Sequence, residues 1–246
     1  MPDVSIVVPA RNEAGNIGPL IDGIAAACSG RADFEIIVVD DGSTDATADT
    51  VRGKAGLLPC LRLIRHDVSG GQSAAVHSGV RAARGHIVCT LDGDGQNPPE
   101  ELPKLFQPLL ADGSGRIGLV AGQRVGRRDS WSKKAASRFA NGLRGWLLRD
   151  GTRDTGCGLK GFRRDAFLAL PYFNHMHRFL PALFARDGWQ IVHVDVAHRP
   201  RGAGRSNYSN LQRGLVGIVD LFGVAWLMRR RKKAVATEIP TRGGNA

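Results

Sequence analysis

The sequence lacks the features that would place it in several common classes of protein. Its four cysteines show no CxxC or CxxxC spacing, and Cys89 lies in an apolar, strand-like run, so neither disulfides nor a zinc site is predicted. No basic leader precedes the first apolar run, which makes the cytoplasm the expected compartment. No transmembrane helix is predicted, because the apolar residues 211–228 are interrupted by Gln212, Arg213 and Asp220.

Acidic residues are fewer than basic residues, so the chain has a large positive net charge. Lysine and arginine number 34 against 23 acidic residues, for a net charge of +11, and the excess lies in residues 124–153 and 199–233. Such an excess is typical of proteins that bind nucleic acid, anionic lipid or phosphorylated substrates. Nucleic acid is not expected as a partner, because no RNA- or DNA-binding motif is present.

Short β-branched runs alternate with helical patterns through the first half of the chain. The predicted strands are residues 4–8, 34–39, 61–64, 86–91 and 117–121, and the predicted helices are residues 16–28, 44–55, 72–83 and 99–110. This alternation predicts an α/β fold with a Rossmann-like, mainly parallel sheet flanked by helices. Ligands bind outside the carboxyl ends of the strands in such sheets, so the residues after each strand are the candidates for function.

Acidic and small polar residues follow four of these strands, in segments 9–13, 40–45, 69–72 and 92–96. In the last segment Asp92, Asp94 and Gln96 alternate, so an extended backbone would present their oxygens on one side. Mg²⁺ prefers a few carboxylates together with phosphate oxygens, and Mn²⁺ is served by similar ligands. The pattern predicts a Mg²⁺ or Mn²⁺ site with a nucleotide diphosphate; the alternative is an ordinary turn rich in glycine and aspartate.

The order of three motifs identifies a family. Val-Pro-x-x-Asn-Glu, Val-Asp-Asp-Gly-Ser and Asp-x-Asp-x-Gln-x-Pro-Pro-Glu resemble motifs of the GT-A-type family-2 glycosyltransferases. The resemblance implies that this chain is a hexosyltransferase. Within that family the chain is most similar to dolichol-phosphate mannosyltransferases and other polyprenyl-phosphate glycosyltransferases, across residues 3–208. The resemblance implies a nucleotide-diphosphate sugar as donor and a polyprenyl phosphate as acceptor.

By the same resemblance, the donor-binding residues are found in the first half. The base and ribose would be held by Pro9, Arg11, Glu13, Val39 and Asp41. The diphosphate and the metal would be contacted by Asp92, Gly93 and Asp94, with Gln96 completing the metal ligands. Gly93 and Gly95 replace the Ala and Leu of the usual motif, which loosens the backbone without changing the ligand types.

The second half of the chain carries the arginines with which the family binds phosphate. Arginine suits this role because its guanidinium donates two parallel hydrogen bonds. The resemblance implies that Arg124, Arg138 and Ser137 bind the acceptor phosphate. Arg201 would stabilise the leaving diphosphate and act in catalysis with Asp92 and Asp94. Donor contacts would also come from Arg124, Arg201 and Asn207, the last of which stands where the family has a lysine.

The predicted reaction is a single displacement at the anomeric carbon that inverts its configuration. A phosphate acceptor is already ionised at neutral pH and needs no general base, although Asp154 can serve as a base, bind the sugar or orient the nearby arginines. The processive-synthase motif Gln-x-x-Arg-Trp is missing, as is the glycine-rich phosphate loop of nucleotidyltransferases. The alternative function is that of a soluble family-2 transferase acting on a saccharide or a protein.

The sequence divides into a glycosyltransferase domain over residues 1–209, an amphipathic helix with a basic end over 210–233, and a flexible tail over 234–246. In the helix, apolar residues recur at helical spacing: Leu211, Leu215, Ile218, Phe222 and Trp226. This pattern predicts peripheral binding to the cytoplasmic face of the inner membrane, with the basic end against anionic lipid. In the alternative, the helix packs on the sheet or on a second subunit, which would make the protein a homo-oligomer.

Overall fold

The computed structural model describes residues 1–125, 144–145, 147–148, 151–152, 154, 156–199, 210–230, 234 and 237, with residues 210–216 described through their backbone only. The strands are β1 (Val4–Ala10), β2 (Phe34–Asp40), β3 (Leu61–Arg65), β4 (Ile87–Thr90), β5 (Ile117–Arg124), β6 (Lys160–Arg163) and β7 (Gln190–Val196). The helices are α1 (Ala14–Cys28), α2 (Thr47–Ala55), α3 (Gln72–Ala82), α4 (Leu102–Leu110), α5 (Arg164–Leu168), α6 (Leu180–Arg186) and α7 (Asn210–Met228). Short 3₁₀ turns cover Pro99–Glu101 and Met176–Arg178.

The strands form one sheet in the order β3-β2-β1-β4-β6-β5-β7. Every neighbouring pair is parallel except those made by β6, which runs antiparallel to both β4 and β5. The prediction of a mainly parallel α/β sheet is therefore confirmed. All the strands and helices predicted for the first half are present with small shifts of their ends, whereas β6, β7, α5 and α6 were not predicted.

The core lies on both faces of the sheet, because successive side chains of a strand point to opposite faces. On one face Ile6 and Val8 of β1 pack with residues of α1 and α4, such as Ile21 and Phe106. On the other face Val7 belongs to the cluster that includes residues of α3, α6 and α7. Strands covered on both faces are mainly apolar, which explains the hydrophobic runs from which they were predicted.

Helix α7 has one face packed on its own chain and one face open to solvent. Leu221, Val224 and Ala225 are buried in the same cluster as α6. Arg186 Nε donates to the carbonyl of Leu227 at 2.9 Å, and His175 Nδ1 lies 3.0 Å from Asp220 Oδ2. The packing alternative therefore holds for this face of the helix.

The open face of α7 is apolar. Its large exposed side chains are Ile218, Val219, Phe222 and Trp226, with exposed fractions of 52%, 72%, 63% and 56%. The guanidinium of Arg230 lies 5.3 Å from the centre of the Trp226 ring. Among the described residues, no helix combines the length and the apolar character needed to cross a membrane.

Candidate active site

The loops after β1 and β2 are tied together at the carboxyl edge of the sheet. Asn12 adopts a left-handed backbone with φ 56°, and its side-chain oxygen accepts from the Thr44 amide at 2.9 Å. The Asn12 amide donates to Ser43 Oγ, and the Glu13 amide donates to Thr47 Oγ1, both at 2.9 Å. The two polar segments that the sequence placed after β1 and β2 thus form one rim of a common site.

Of the residues expected to hold the nucleotide, Pro9, Arg11 and Glu13 belong to this rim. Arg11 is exposed, Pro9 is half-buried, and the Glu13 carboxylate accepts from Asn16 Nδ2 at 2.6 Å. Val39 is fully buried in the core near the end of β2. Their contacts with a nucleotide remain predictions.

Asp41 is the most heavily hydrogen-bonded carboxylate of this edge. Its Oδ1 accepts from the Gly70 amide at 2.8 Å and lies 2.7 Å from His66 Nδ1. Its Oδ2 accepts from Ser69 Oγ at 2.7 Å and from the Gly71 amide at 2.9 Å. Burial acts to raise the pKa of Asp41, but these donors outweigh it and hold the pKa below its usual value. Four donors use the acceptor sites of a carboxylate, so a contact with the base, which remains a prediction, would displace one of them.

The loop after β4 carries the paired aspartates beside the end of β1. The Gly93 amide donates to the carbonyl of Pro9 at 3.2 Å, and a Cβ at Gly93 would lie only 2.9 Å from that oxygen. Gly95 has φ 71°, in the left-handed region that favours glycine. Gly93 therefore allows a close approach of two backbone segments and Gly95 a left-handed turn, while the expected loosening of the backbone stays a prediction.

Three neighbours enclose the Asp92 carboxylate. Gln72 Nε2, from the first residue of α3, donates to Asp92 Oδ1 at 2.7 Å. Asn97 Nδ2, which is buried, lies 3.4 Å from Asp92 Oδ2. Gly158 packs against the same carboxylate so closely that a Cβ there would lie 2.1 Å from Oδ2. The carboxylate is therefore held from three separate parts of the chain.

The electrostatics of this carboxylate are unusual. Burial, and then the nearby charge of Asp94, raise the pKa of Asp92 to about 6, against the opposing influence of Lys160, Arg124 and Asn97. Lys160 is itself buried, and its ammonium donates to the carbonyl of Cys157. Burial lowers the pKa of Lys160, while the neighbouring acidic groups act against that shift. A buried ammonium thus offsets part of the negative charge of the site.

Arg124 lies at the end of β5 and forms a two-pronged ion pair with Asp154. Its Nε donates to Asp154 Oδ2 at 2.6 Å, and its Nη2 donates to Oδ1 at 2.8 Å. Both side chains are 15% exposed. The hydrogen bonds that Arg124 donates to Asp154 are the main reason that the pKa of Arg124 is raised. Of the roles considered for Asp154, the geometry matches the orienting of an arginine.

The oxygens near Asp92 fit a hard divalent cation. Asp92 and Asp94 are close enough for the charge of one to disfavour ionisation of the other, and a cation would relieve this repulsion. The backbone N–H of Gln96 donates to Asp94 Oδ1 at 3.1 Å, so Gln96 belongs to the same turn as Asp94. No cluster of three or more His, Cys, Asp or Glu side chains suited to a metal occurs in the described ranges. Two carboxylates and the side-chain oxygen of a glutamine suit Mg²⁺, which commonly takes its other ligands from phosphate and water.

Several predicted residues lie outside the described part of the chain, namely Ser137, Arg138, Arg201 and Asn207. The described residue nearest to Arg201 is Arg199, whose amide donates to the carbonyl of Gln96 at 2.8 Å. The chain that leads towards Arg201 therefore passes directly beside the aspartate loop. The proposed roles of all four residues remain predictions.

Four residues of the site were not singled out from the sequence, namely Gln72, Asn97, Gly158 and Lys160. Gln72 had a signal, because it ends a polar segment that follows a strand. Asn97 lies at an unassigned position of the recognised aspartate motif. Gly158 and Lys160 had none, since a glycine and a basic residue outside any motif are ordinary in a chain of this composition.

Comparison with known proteins identifies relatives of this chain. A model of the family described as Glycosyl transferase family 2 matches residues 5–170. Dodecaprenyl-phosphate galacturonate synthase of Rhizobium johnstonii is 36% identical over 238 residues, which cover 94% of this chain and 69% of that protein. The undecaprenyl-phosphate 4-deoxy-4-formamido-L-arabinose transferase of Edwardsiella ictaluri is 33% identical over 221 residues, covering 89% of this chain and 65% of that protein. The chain thus spans about two thirds of the length of these relatives.

Solved structures share the fold. Glucosyl-3-phosphoglycerate synthase from Mycobacterium tuberculosis, crystallised with Mn²⁺, UDP-glucose and glycerol 3-phosphate, superposes with a TM-score of 0.71 at 22% identity, covering 92% of this chain and 80% of that one. A mannosyltransferase from Pyrobaculum calidifontis, crystallised with GDP-mannose and Mn²⁺, gives a TM-score of 0.69 at 25% identity, covering 94% and 65%. The predicted GT-A fold is confirmed. With two thirds of its length matched by the family model and relatives above 30% identity, the chain belongs to glycosyl transferase family 2.

Proposed function

We propose that the protein transfers a sugar from a nucleotide-diphosphate sugar to a polyprenyl phosphate, with inversion at the anomeric carbon. The observation that carries this proposal is the meeting of two kinds of group at one sheet edge. The Asp92 carboxylate, which feels the charge of Asp94, also lies within electrostatic range of Arg124, the partner of Asp154. Carboxylates suit a cation bound to the donor diphosphate, and an arginine suits a second phosphate. The relatives described above, a dodecaprenyl-phosphate galacturonate synthase and an undecaprenyl-phosphate sugar transferase, support the same acceptor.

On the donor side, Asp92, Asp94 and Gln96 would hold Mg²⁺ or Mn²⁺. When bound, the cation supplies positive charge that stabilises the leaving diphosphate. The crystallisation of fold relatives with Mn²⁺ or Mg²⁺ supports this assignment. Pro9, Arg11, Glu13, Val39 and Asp41 would line the pocket for the base and ribose, with Arg201 and Asn207 completing the donor site.

On the acceptor side, Arg124, Arg138 and Ser137 would bind the phosphate that attacks the sugar. Asp154 uses both carboxylate oxygens on Arg124, so its geometry favours holding that guanidinium over removing a proton. A phosphate acceptor fits this arrangement, because its oxygen is already ionised near neutral pH. An alcohol acceptor would instead need a general base close to its hydroxyl.

The acceptor lipid places the reaction at a membrane, and we infer that the open face of α7 meets that surface. Phe222 and Trp226 are exposed apolar side chains next to Arg229 and Arg230, which are also exposed. An apolar stripe with arginines at its end suits the interface of a bilayer that contains anionic lipid. This arrangement supports the proposed peripheral attachment to the cytoplasmic face of the inner membrane; a second subunit covering the same face is the competing outcome.

The test is a donor screen with purified protein and undecaprenyl phosphate. UDP-, GDP- and other nucleotide sugars are supplied singly with Mn²⁺ or Mg²⁺, and the lipid product is identified by mass spectrometry. We expect one donor class to give lipid-phosphate-linked sugar, and we expect a chelator to abolish the product. Transfer that persists fully in chelator would overturn the metal assignment, and transfer to water or saccharide alone would overturn the acceptor.

A further inference from the structure

Gln72 has no role in the reaction proposed above, although its side chain contacts Asp92. It follows Gly71 and is the first residue of α3, and its side chain is exposed at the edge of the site. Its Nε2 nevertheless makes a 2.7 Å hydrogen bond to Oδ1 of Asp92, 20 positions further along the chain. An exposed glutamine normally samples many conformations, so a short bond to a carboxylate needs support from elsewhere.

The backbone on both sides of Gln72 supplies that support. Before it, the amides of Gly70 and Gly71 donate to the two oxygens of Asp41 at 2.8 and 2.9 Å. After it, the buried Ser73 hydroxyl lies 2.7 Å from His177 Nδ1, and it also accepts from the His177 amide at 3.4 Å. The start of α3 is therefore fixed to the end of β2 on one side and to the turn before α6 on the other.

We propose that Gln72 is a positioning residue that fixes Asp92 for metal and diphosphate binding, an inference that rests on the proposed function. Gln72 holds Oδ1, while Asn97 and Gly158 confine Oδ2. The carboxylate is thereby restricted to one orientation before any ligand arrives. Besides its predicted contact with the nucleotide, Asp41 anchors the turn that carries Gln72 and so links the two acidic strand ends.

Hydrogen bonds to a ligating carboxylate tune metal binding in proteins, and loss of one commonly weakens affinity or activity 10- to 100-fold, as an order of magnitude. The test uses Gln72→Met, which keeps the length of the side chain and removes its donor. Gln107→Met is the matched control, because Gln107 is an exposed glutamine on α4 whose side chain makes no hydrogen bond within the described residues. The probe is Mn²⁺, added alone and then with UDP or GDP, and free Mn²⁺ is followed by electron paramagnetic resonance.

We expect Gln72→Met to bind Mn²⁺ about 10- to 100-fold more weakly, with Gln107→Met unchanged and both metal-free proteins melting as the wild type does. Raising the Mn²⁺ concentration should restore most of the turnover of Gln72→Met, which a purely structural defect would not allow. Equal Mn²⁺ affinity in Gln72→Met and wild type would overturn the inference, even if the wild type transfers sugar as proposed. A Gln72-dependent Mn²⁺ site in a protein that transfers no sugar to polyprenyl phosphate would support the inference and overturn the proposed function.

Discussion

Replacing Gly158 with alanine places one methyl group directly against the Asp92 carboxylate. Thr90 Oγ1 donates to the Gly158 carbonyl at 2.7 Å, so the backbone at Gly158 is held against β4 and cannot easily retreat. The added Cβ would lie 2.1 Å from Asp92 Oδ2 and 2.4 Å from its Cγ. Contacts below 3.0 Å are essentially never seen, so the oxygen must move by at least 3.0 − 2.1 = 0.9 Å. A displacement of about 1 Å in a reacting arrangement can cost roughly 100-fold in rate.

The assay compares Gly158→Ala with Gly53→Ala, which adds the same methyl to the exposed face of α2 with nothing within 4 Å. We expect Gly158→Ala to lose about 100-fold in kcat/KM for the donor. Its free energy of unfolding should fall by about 1–3 kcal/mol, the usual cost of overpacking. Gly53→Ala should keep full activity and gain about 0.5–1 kcal/mol, because glycine weakens a helix interior. Near-normal turnover and metal affinity in Gly158→Ala would refute the view that Asp92 must keep its position.

Three further predictions concern charge and the surface of α7. In Asp154→Asn, Arg124 loses a charged partner. The free energy of unfolding, measured by urea titration, should fall by about 1.5–3 kcal/mol, and KM for the acceptor should rise. Unchanged values would contradict the pairing. In metal-free protein, the folded state binds the Asp92 proton more tightly than the unfolded chain does. Stability should therefore fall as pH rises from 3.8 to about 6, by at most about 3 kcal/mol at 1.36 kcal/mol per unit, and Asp92→Asn should abolish that part of the slope seen by urea denaturation. The double variant Phe222→Ser/Trp226→Ser should bind anionic vesicles more weakly in sedimentation while its stability changes by less than about 0.5 kcal/mol; unaltered binding would assign the face to another partner.

The first half of the fold was predictable because its strands are buried on both faces. Val4, Ile6, Val7 and Val8 are all fully buried, which makes β1 an apolar run in the sequence that only Ser5 interrupts. Strand β6 offers no such signal: its four residues include Lys160 and Arg163, and it joins the sheet only through pairing with β4 and β5. Its place depends on partners far away in the chain, which local patterns do not reveal.

The site divides in the same way. Asp92 and Asp94 were predicted because their spacing and motif lie in one short segment. The residues that hold Asp92 in place were not predicted, because Gln72 and Gly158 approach Asp92 only in the folded sheet. Helix α7 was predicted as an amphipathic helix, but the sequence alone left open which apolar residues pack inward. In the structure Leu221 and Val224 do so, while Phe222 and Trp226 remain exposed.

The central claim is that the acceptor is a phosphate on a lipid, and one competition of acceptors tests it most directly. Undecaprenyl phosphate and undecaprenol are offered at equal concentration in the same vesicles, with the donor found in the screen and Mn²⁺ present. We predict sugar on the phosphate and none on the alcohol, because Arg124 is proposed to bind the acceptor phosphate and Asp154, engaged by that arginine, is not placed to act as a base. Comparable transfer to undecaprenol, or transfer to neither lipid while a saccharide is glycosylated, would contradict the account.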